Sequence, residues 1–176
     1  MEFSLEGTKL SATPKALIPD FMELSVIRAK AQLQTFNVCQ GPGGVPKIQR
    51  LKAGESLPGD LLRVAVASGL QSAKFEGIGG LDELLLGYHN QSTKKYEEHR
   101  FTEFLEVTSL IGNLTLKDGS PFLHMHGNFG RRDLSVIGGH VISARVHPTL
   151  EVVFTPLEGR PMRELDDESG LFLLKG

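Results

Sequence analysis

The feature that most constrains the fold is a two-residue turn, Asp118-Gly119, between two long apolar runs. The run FLEVTSLIGNLTL precedes it and the run PFLHMHGNF follows it. An Asp-Gly pair between such runs is a strong short-range hairpin signal, because both residues tolerate the positive φ that a tight β-turn requires. The segment Lys117-Asp118-Gly119-Ser120 therefore predicts a hairpin whose returning strand covers residues 121–129.

Other short segments also read as strands. KIQRLK (47–52) alternates, and the later candidates are QSAKFEG (71–77), LDELLLGYHN (81–90), KKYEEHRF, VISARVH and LEVVFTPL. Between them, Ser56 is a candidate N-cap for a helix that tolerates Pro58 in its first turn and ends at Gly69. Strands of this kind with one clear helix predict an α+β domain built on a strongly bent, barrel-like β-sheet, antiparallel or mixed, with one or two helices.

The first 46 residues differ from the rest of the chain. They are interrupted by prolines and end in the turn-forming string GPGG at 41–44. Residues 21–38 are moderately apolar, and the pattern fits a helix and a strand equally well. We therefore predict an N-terminal arm or extension at 1–46 and a folded domain at 47–176.

Composition limits the classes of partner. The chain has 176 residues, with 19 Lys and Arg against 21 Asp and Glu. A domain that relies on phosphate contacts usually carries a basic excess, and this chain has none.

Cys39 is the only cysteine, so an intrachain disulfide is excluded. No apolar run approaches the length of a membrane span or a signal peptide, so we expect a soluble, cytoplasmic protein without a membrane partner.

Three histidines form the candidate functional constellation. His124 and His126 lie two apart in the predicted returning strand, so both project from one face, about 6.6 Å apart along the strand. Gly138-Gly139-His140 supplies a third imidazole after two residues that permit close backbone approach. Three histidines with an open fourth position are typical of a catalytic zinc site. The alternative is that an isolated His-x-His pair is simply two partly exposed residues.

The remaining histidines are weaker candidates for the same site. His147 would face away from His140 if 140–147 is one regular strand. His89 and His99 lie beside turn residues and charged residues, and we expect both to be solvated.

The run PFLHMHGNFGRRDLSVIGGHVISARVHPTLEVVF resembles the core of the plants-and-prokaryotes conserved (PPC) domain. The order of LKAGESL, GIGG (77–80), LLGYHNQSTKKYE, LEVTSLIGNL and DDESGL (166–171) also matches that family, so the resemblance covers about residues 47–170. It implies a strongly bent antiparallel sheet, a homotrimer, and zinc held by His124, His126 and His140. Prokaryotic members are commonly labelled predicted DNA-binding proteins. The fold also resembles that of acetolactate decarboxylase, a three-histidine zinc enzyme, but likeness of fold transfers no reaction.

One departure concerns DNA. Plant members carry a separate AT-hook with an Arg-Gly-Arg-Pro core. The nearest string here is Glu158-Gly159-Arg160-Pro161, in which an acid replaces the first arginine. We interpret it as a turn, so the best-understood route to DNA binding is missing.

Three functions therefore compete, and we expect a PPC-like trimeric metal-binding protein with a DNA-associated regulatory function, with a zinc-dependent enzyme or small-molecule binder as the alternative. A zinc-dependent enzyme or small-molecule binder would need a base and an anion-holding group. The candidate base is Glu106, whose apolar neighbours in FLEVTSL suggest that it faces inward, and the candidates for holding a carboxylate are Arg131 and Arg132. A DNA-associated regulator would gather Lys94, Lys95 and Arg100 into a basic surface by trimer symmetry. A structural module would use zinc to support assembly. Each of these six side chains has a plain alternative as a solvated or ion-paired surface residue.

Overall fold

The structure, a computed structural model, describes residues 44–175. Most of the predicted arm at 1–46 therefore lies outside the described residues, as does the choice between helix and strand at 21–38. The described part contains nine strands and one helix. In chain order these are β1 (Lys47–Lys52), β2 (Ser56–Leu57), α1 (Gly59–Ala67), β3 (Ala73–Asn90), β4 (Lys95–Phe101), β5 (Leu105–Lys117), β6 (Ser120–Gly130), β7 (Val136–Pro156), β8 (Met162–Asp166) and β9 (Leu171–Leu174).

The strands form one mixed sheet, in the order β4-β3-β7-β6-β5-β8-β9. An additional pairing of β3 with β5 completes a circuit of four strands, β3-β7-β6-β5. β1 and β2 both pair with β7, and the one parallel contact in this sheet joins β5 to β8. The predicted α+β class with a strongly bent sheet is confirmed.

Two strands, β3 and β7, are longer than the sequence suggested, because the chain bends where it was expected to break. VISARVH and LEVVFTP belong to one 21-residue strand, β7. Segments 71–77 and 81–90 belong to one 18-residue strand, β3. Its pairing with β5 shifts register between Gly77 and Gly79. A Cβ on Gly79 would lie 2.2 Å from the carbonyl oxygen of Thr149. The absence of a side chain at Gly79 therefore lets β3 continue through the bend against β7.

The helix begins later than predicted. Pro58 is the N-cap residue, and Ser56 lies in β2. The backbone N–H and hydroxyl of Ser56 instead donate to Asp60 Oδ2, at 2.8 and 3.0 Å. Gly69 follows the helix with a φ of +76°, which confirms the prediction that the helix ends at this glycine. Leu61 and Ala65 are fully buried, so α1 covers one side of the core.

The hydrophobic core fixes the orientation of β6, the strand that carries His124 and His126. Leu123, Met125 and Phe129 of β6 are buried, and Phe75 of β3 packs on Phe154 of β7 with ring centroids 5.5 Å apart. Burial of each large side chain contributes about 1.5–3 kcal/mol, so the inward face of β6 is strongly fixed. Because side chains alternate along a strand, the other face must carry His124 and His126. Within the described range, no helix has the length and apolar character needed to cross a bilayer.

Candidate metal centre

The three predicted histidines lie together on two adjacent strands. His124 and His126 project from the same face of β6, and His140 on β7 is directly opposite His126 in the antiparallel register. Ring centroids are 5.1 Å apart for His124 and His126, and 5.2 Å for each pair that includes His140. The structure therefore brings the three imidazole rings together in one cluster.

The geometry of the cluster is suited to a metal ion. One ring nitrogen from each histidine lies within 4.8 Å of the other two. Nitrogens bound to one tetrahedral zinc at about 2.0–2.1 Å would be roughly 3.4 Å apart, so small side-chain rotations suffice. Among residues 44–175, no carboxylate or thiol completes this group. Three side chains are therefore positioned to hold a metal ion, with room for a further ligand.

The protonation state of the three rings also suits a metal. Burial, with His124 and His126 nearby, lowers the pKa of His140 from 6.5 to about 4. The pKa of His124 is lowered by burial first and then by the charge of Arg163, and burial lowers the pKa of His126. Neutral imidazoles offer lone pairs, as coordination requires. His140 Nδ1 is buried and has no hydrogen-bond partner in the described structure, so the residues fit a divalent ion.

Gly138 explains how β7 approaches β6 so closely. A Cβ at this position would lie 2.8 Å from the carbonyl oxygen of Gly127 and 2.6 Å from Asn128 Oδ1. Gly139 is less constrained, since its Cβ would meet the nearest atom, Gly87 O, at 3.4 Å. The prediction that glycine before His140 permits close backbone approach is therefore confirmed for Gly138.

Aromatic contacts fix the position of His140. The ring of Tyr96, on β4, stacks on that of His140 with centroids 4.9 Å apart and planes 26° apart. Tyr96 in turn contacts His89 edge-on at 5.4 Å. The expectation that His89 is solvated is wrong, because its Nε2 is buried and has no hydrogen-bond partner among the described residues.

The other two histidines lie apart from the cluster. His99 is exposed, as expected. His147 is exposed and contacts Phe104 edge-on, with ring centroids 6.5 Å apart.

Arg163, on β8, is a residue of the site that the sequence did not reveal. It is 6% exposed. Its Nη2 lies 3.4 Å from His124 Nδ1, and it donates hydrogen bonds to Thr115 Oγ1, Asn113 Oδ1 and the carbonyl oxygen of Phe172. It reaches the site because β8 pairs in parallel with β5, where Lys117 is the register partner of Arg163. The only local signal is one arginine in the alternating string MRELD.

The three candidates for a base and an anion-holding group lie elsewhere. Glu106 is exposed between the buried residues Leu105 and Val107, so its expected inward orientation is wrong. Arg131 pairs with Glu103 at 2.8 Å, and Arg132 is exposed in the same loop. That loop follows His126 by at least five residues, about 16 Å along an extended strand. The structure does not bring Glu106, Arg131 or Arg132 to the histidines.

The candidate DNA contacts lie on or beside the edge strand β4. Lys94 Nζ donates to the carbonyl oxygen of Asp167 at 3.2 Å. Lys95 and Arg100 are exposed on β4, but Glu97 and Glu98 are exposed between them. The string from Glu158 to Pro161 connects β7 to β8 with Gly159 at a φ of +79°, as expected of a turn.

The fold and site together define a strongly bent α+β domain with a three-histidine cluster. The model of the Plants and Prokaryotes Conserved (PCC) domain matches residues 40–158. The chain therefore belongs to this family, as the resemblance predicted. A search of curated proteins finds no match.

Solved structures give the same assignment. A metal-containing protein from Archaeoglobus fulgidus is 34% identical, with a TM-score of 0.72, over 80% of this chain and 100% of that one. A candidate DNA-binding protein from Bacteroides thetaiotaomicron is 29% identical, with a TM-score of 0.71, over 75% and 92%. A plant- and prokaryote-conserved protein from Pyrococcus horikoshii is 28% identical, with a TM-score of 0.70, over 76% and 92%.

A more distant likeness concerns the fold alone. Acetolactate decarboxylase from Bacillus subtilis is 14% identical, with a TM-score of 0.50, over 68% of this chain and 56% of that one. The expected likeness to this enzyme is therefore present at the level of architecture, which carries no reaction with it.

Proposed function

We propose that His124, His126 and His140 bind one divalent metal ion, zinc in the first instance, and that the protein acts on or binds a small molecule there. The observation that carries the proposal is that two half-buried imidazoles, His124 and His140, and the more exposed His126 place ligand nitrogens within 4.8 Å of one another, with the pKa of each ring lowered. The metal-containing relative from Archaeoglobus fulgidus supports it.

The donor set favours an open site over a closed structural one. Structural zinc sites usually have four protein ligands, whereas three histidines leave a position for water or substrate. When bound, zinc would polarise a carbonyl or lower the pKa of bound water to about 7. The chain itself orients His140 through Tyr96, and it places the guanidinium of Arg163 beside His124.

Metal content tests this proposal. We expect about one zinc per chain in the purified full-length protein, measured by inductively coupled plasma mass spectrometry, and almost none in the double variant His124→Ala/His126→Ala. The matched control is His99→Ala, because His99 is exposed and lies outside the cluster. Wild-type protein that holds no stoichiometric metal after zinc reconstitution would overturn the proposal.

A second candidate function is DNA association, which the relative from Bacteroides thetaiotaomicron favours. In this proposal Lys94, Lys95 and Arg100 contact phosphates across a symmetric assembly. Mobility-shift affinity should then fall steeply between 50 and 200 mM salt, about 10³-fold or more if six or more phosphates are contacted. The variant Lys95→Ala/Arg100→Ala should weaken binding, and equal affinity of variant and wild type would contradict the proposal.

The assembly we propose is a homotrimer, as in the family that the sequence resembles. Its support is a surface groove lined by exposed isoleucines on three strands, Ile48 of β1, Ile78 of β3 and Ile111 of β5. Contiguous apolar surface of this kind marks interaction sites on many soluble proteins.

A further inference from the structure

One cavity opens beside the histidine cluster on the side of β8 and β9. Its volume is about 240 Å³, and its lining includes His124, His140, Lys117, Arg163, Phe122 and Phe172. A water molecule occupies about 30 Å³ of liquid, so the cavity has space for roughly eight waters or one small organic molecule.

The ionised side chains that line this cavity are all positively charged. Two cations, Lys117 and Arg163, contribute to its lining, and no aspartate or glutamate does. Arg163 is 6% exposed, and all its hydrogen bonds within the described structure go to neutral acceptors. Buried charges in proteins are normally paired, because an uncompensated charge in a low-dielectric interior is costly. The arginine therefore lacks a counterion among residues 44–175.

The guanidinium has an unused donor. Arginine has five N–H groups, and the bonds to Thr115, Phe172 and Asn113 occupy one each on Nε, Nη1 and Nη2. Nη2 also lies 3.4 Å from His124 Nδ1, so the second N–H of Nη1 is the donor without a partner among the described residues. A bound anion would accept from this N–H and balance the charge of Arg163.

The walls of the cavity are aromatic. Lys117 Nζ lies 3.6 Å from the ring centroid of Phe172 and 5.6 Å from that of Phe122, and the Arg163 guanidinium carbon lies 5.6 Å from Phe122. These rings hold the two cations in place and also offer an apolar surface beside them. A purely inorganic anion would leave that surface in contact with water.

We propose that this cavity binds a small organic carboxylate, with its head group between Lys117 and Arg163 beside the histidine cluster and its apolar body against Phe122 and Phe172. The inference names a ligand class for the proposed metal site, and in that sense it rests on the proposed function. The two cations belong to the protein itself, however, so binding is expected in the metal-free state as well.

Calorimetric titration of the full chain with benzoate tests the proposal, in metal-free and zinc-loaded protein whose zinc content is measured separately. We expect one benzoate per chain, and binding of benzamide, which has the same shape without the charge, at least about tenfold weaker. Inorganic phosphate tests the need for an organic body and should bind more weakly than benzoate. Equal affinity for benzoate and benzamide, or tighter binding of phosphate, would overturn the inference.

The matched variants are Lys117→Met and Lys175→Met. Lys117→Met keeps the length of the side chain but removes a cavity charge, and should weaken benzoate binding about tenfold. Lys175→Met is the control, because that exposed lysine pairs with Glu164 outside the cavity lining. Arg163→Lys is a further variant that keeps the positive charge. A larger change at this position would be less informative, because Arg163 also joins β8 to β5 and its loss would destabilise the β8–β9 hairpin.

The outcomes separate the two proposals. Zinc binding without benzoate binding overturns the carboxylate site and leaves the metal centre intact. Benzoate binding to a protein that never retains zinc supports the carboxylate site and overturns the metal centre. Identical benzoate affinities in wild type and Lys117→Met would also overturn the carboxylate site.

Discussion

His140 connects the packing of single side chains to the chemistry of the site. It is opposite His126 on one side and stacked on Tyr96 on another, and its Nδ1 has no hydrogen-bond partner in the described part of the chain. Burial of a ring that can carry charge favours its neutral form. The same packing that positions His140 therefore prepares it to bind a metal at neutral pH.

This packing predicts acid sensitivity of the metal-free protein. The pKa of His140 is about 4 in the folded chain and about 6.5 when unfolded, so between these values the unfolded state binds a proton that the folded state does not. The free energy of unfolding should thus fall as pH decreases from 6.5 towards 4. Urea unfolding at pH 7 and pH 4.5 measures the loss.

The comparison variant for this experiment is His140→Gln, which lacks the titrating ring. Groups outside the cluster contribute equally in both proteins, and removal of the His140 ring also relieves its repulsion with His124 and His126, so the wild type should lose more stability over the same pH interval. An equal loss in the two proteins would show that His140 is not held neutral by the fold.

Tyr96 gives a second prediction at this scale. Tyr96→Ala removes the ring stacked on His140 and should lower zinc affinity by about tenfold, as loss of supporting contacts around metal ligands commonly does. Tyr96→Phe keeps the ring and should leave the affinity near that of the wild type. Competition with a chromophoric chelator measures both, and an unaltered affinity in Tyr96→Ala would argue against a positioning role.

At the scale of elements, the contact between β6 and β7 determines whether the cluster forms at all. Gly138→Ala would place a Cβ 2.8 Å from a backbone carbonyl of β6, which cannot move without disturbing the ladder. We expect a loss of about 1–3 kcal/mol in unfolding free energy, together with weaker zinc binding, because His140 would be displaced from His126.

Gly130→Ala is the control for this prediction. Gly130 also lies on β6, but a Cβ there would meet its nearest atom, Thr108 Cγ2, at an ordinary 3.4 Å. Thermal unfolding and zinc titration of the two variants should therefore diverge. If Gly130→Ala is as damaging as Gly138→Ala, the close approach of the two strands is not the cause.

The elements that sequence predicts well are those specified by nearby residues. Asp118 and Gly119 adopt φ values of +49° and +77°, and the predicted hairpin joins β5 to β6 in the expected place. His124 and His126 follow from that hairpin, because alternation assigns the apolar residues around them to the core. The proximity of His140 needed the family resemblance, because the loop 131–135 that joins β6 to β7 has no Asn-Gly or Asp-Gly turn from which the register could be predicted.

Arg163 shows where such reasoning stops. Its place beside His124 depends on β8 pairing in parallel with β5, which no local pattern in MRELD indicates. Glu106 was misjudged for a related reason. Apolar neighbours on both sides suggested an interior position, whereas strict alternation along β5 buries Leu105 and Val107 and exposes the glutamate.

At the scale of the molecule, the exposed apolar surface lies next to the histidine cluster. Ile78 and Ile111 are 62% and 55% exposed and line one groove of about 400 Å³. Ile111 is also the register partner of His126, the most exposed of the three histidines. A second copy of the chain packed on this groove would therefore come close to the histidine cluster.

A substitution in the groove tests this assembly. We expect the wild type to have a mass near three times that of the 19.2-kDa chain by light scattering, and Ile78→Asp to dissociate, because the new carboxylate would lie beside Glu151, the register partner of Ile78, in a dry interface. Leu134→Asp is the control, since Leu134 is 87% exposed and lies outside the groove. A wild-type monomer, or an Ile78→Asp variant that keeps the wild-type mass with unaltered circular dichroism, would rule out the groove as the subunit contact.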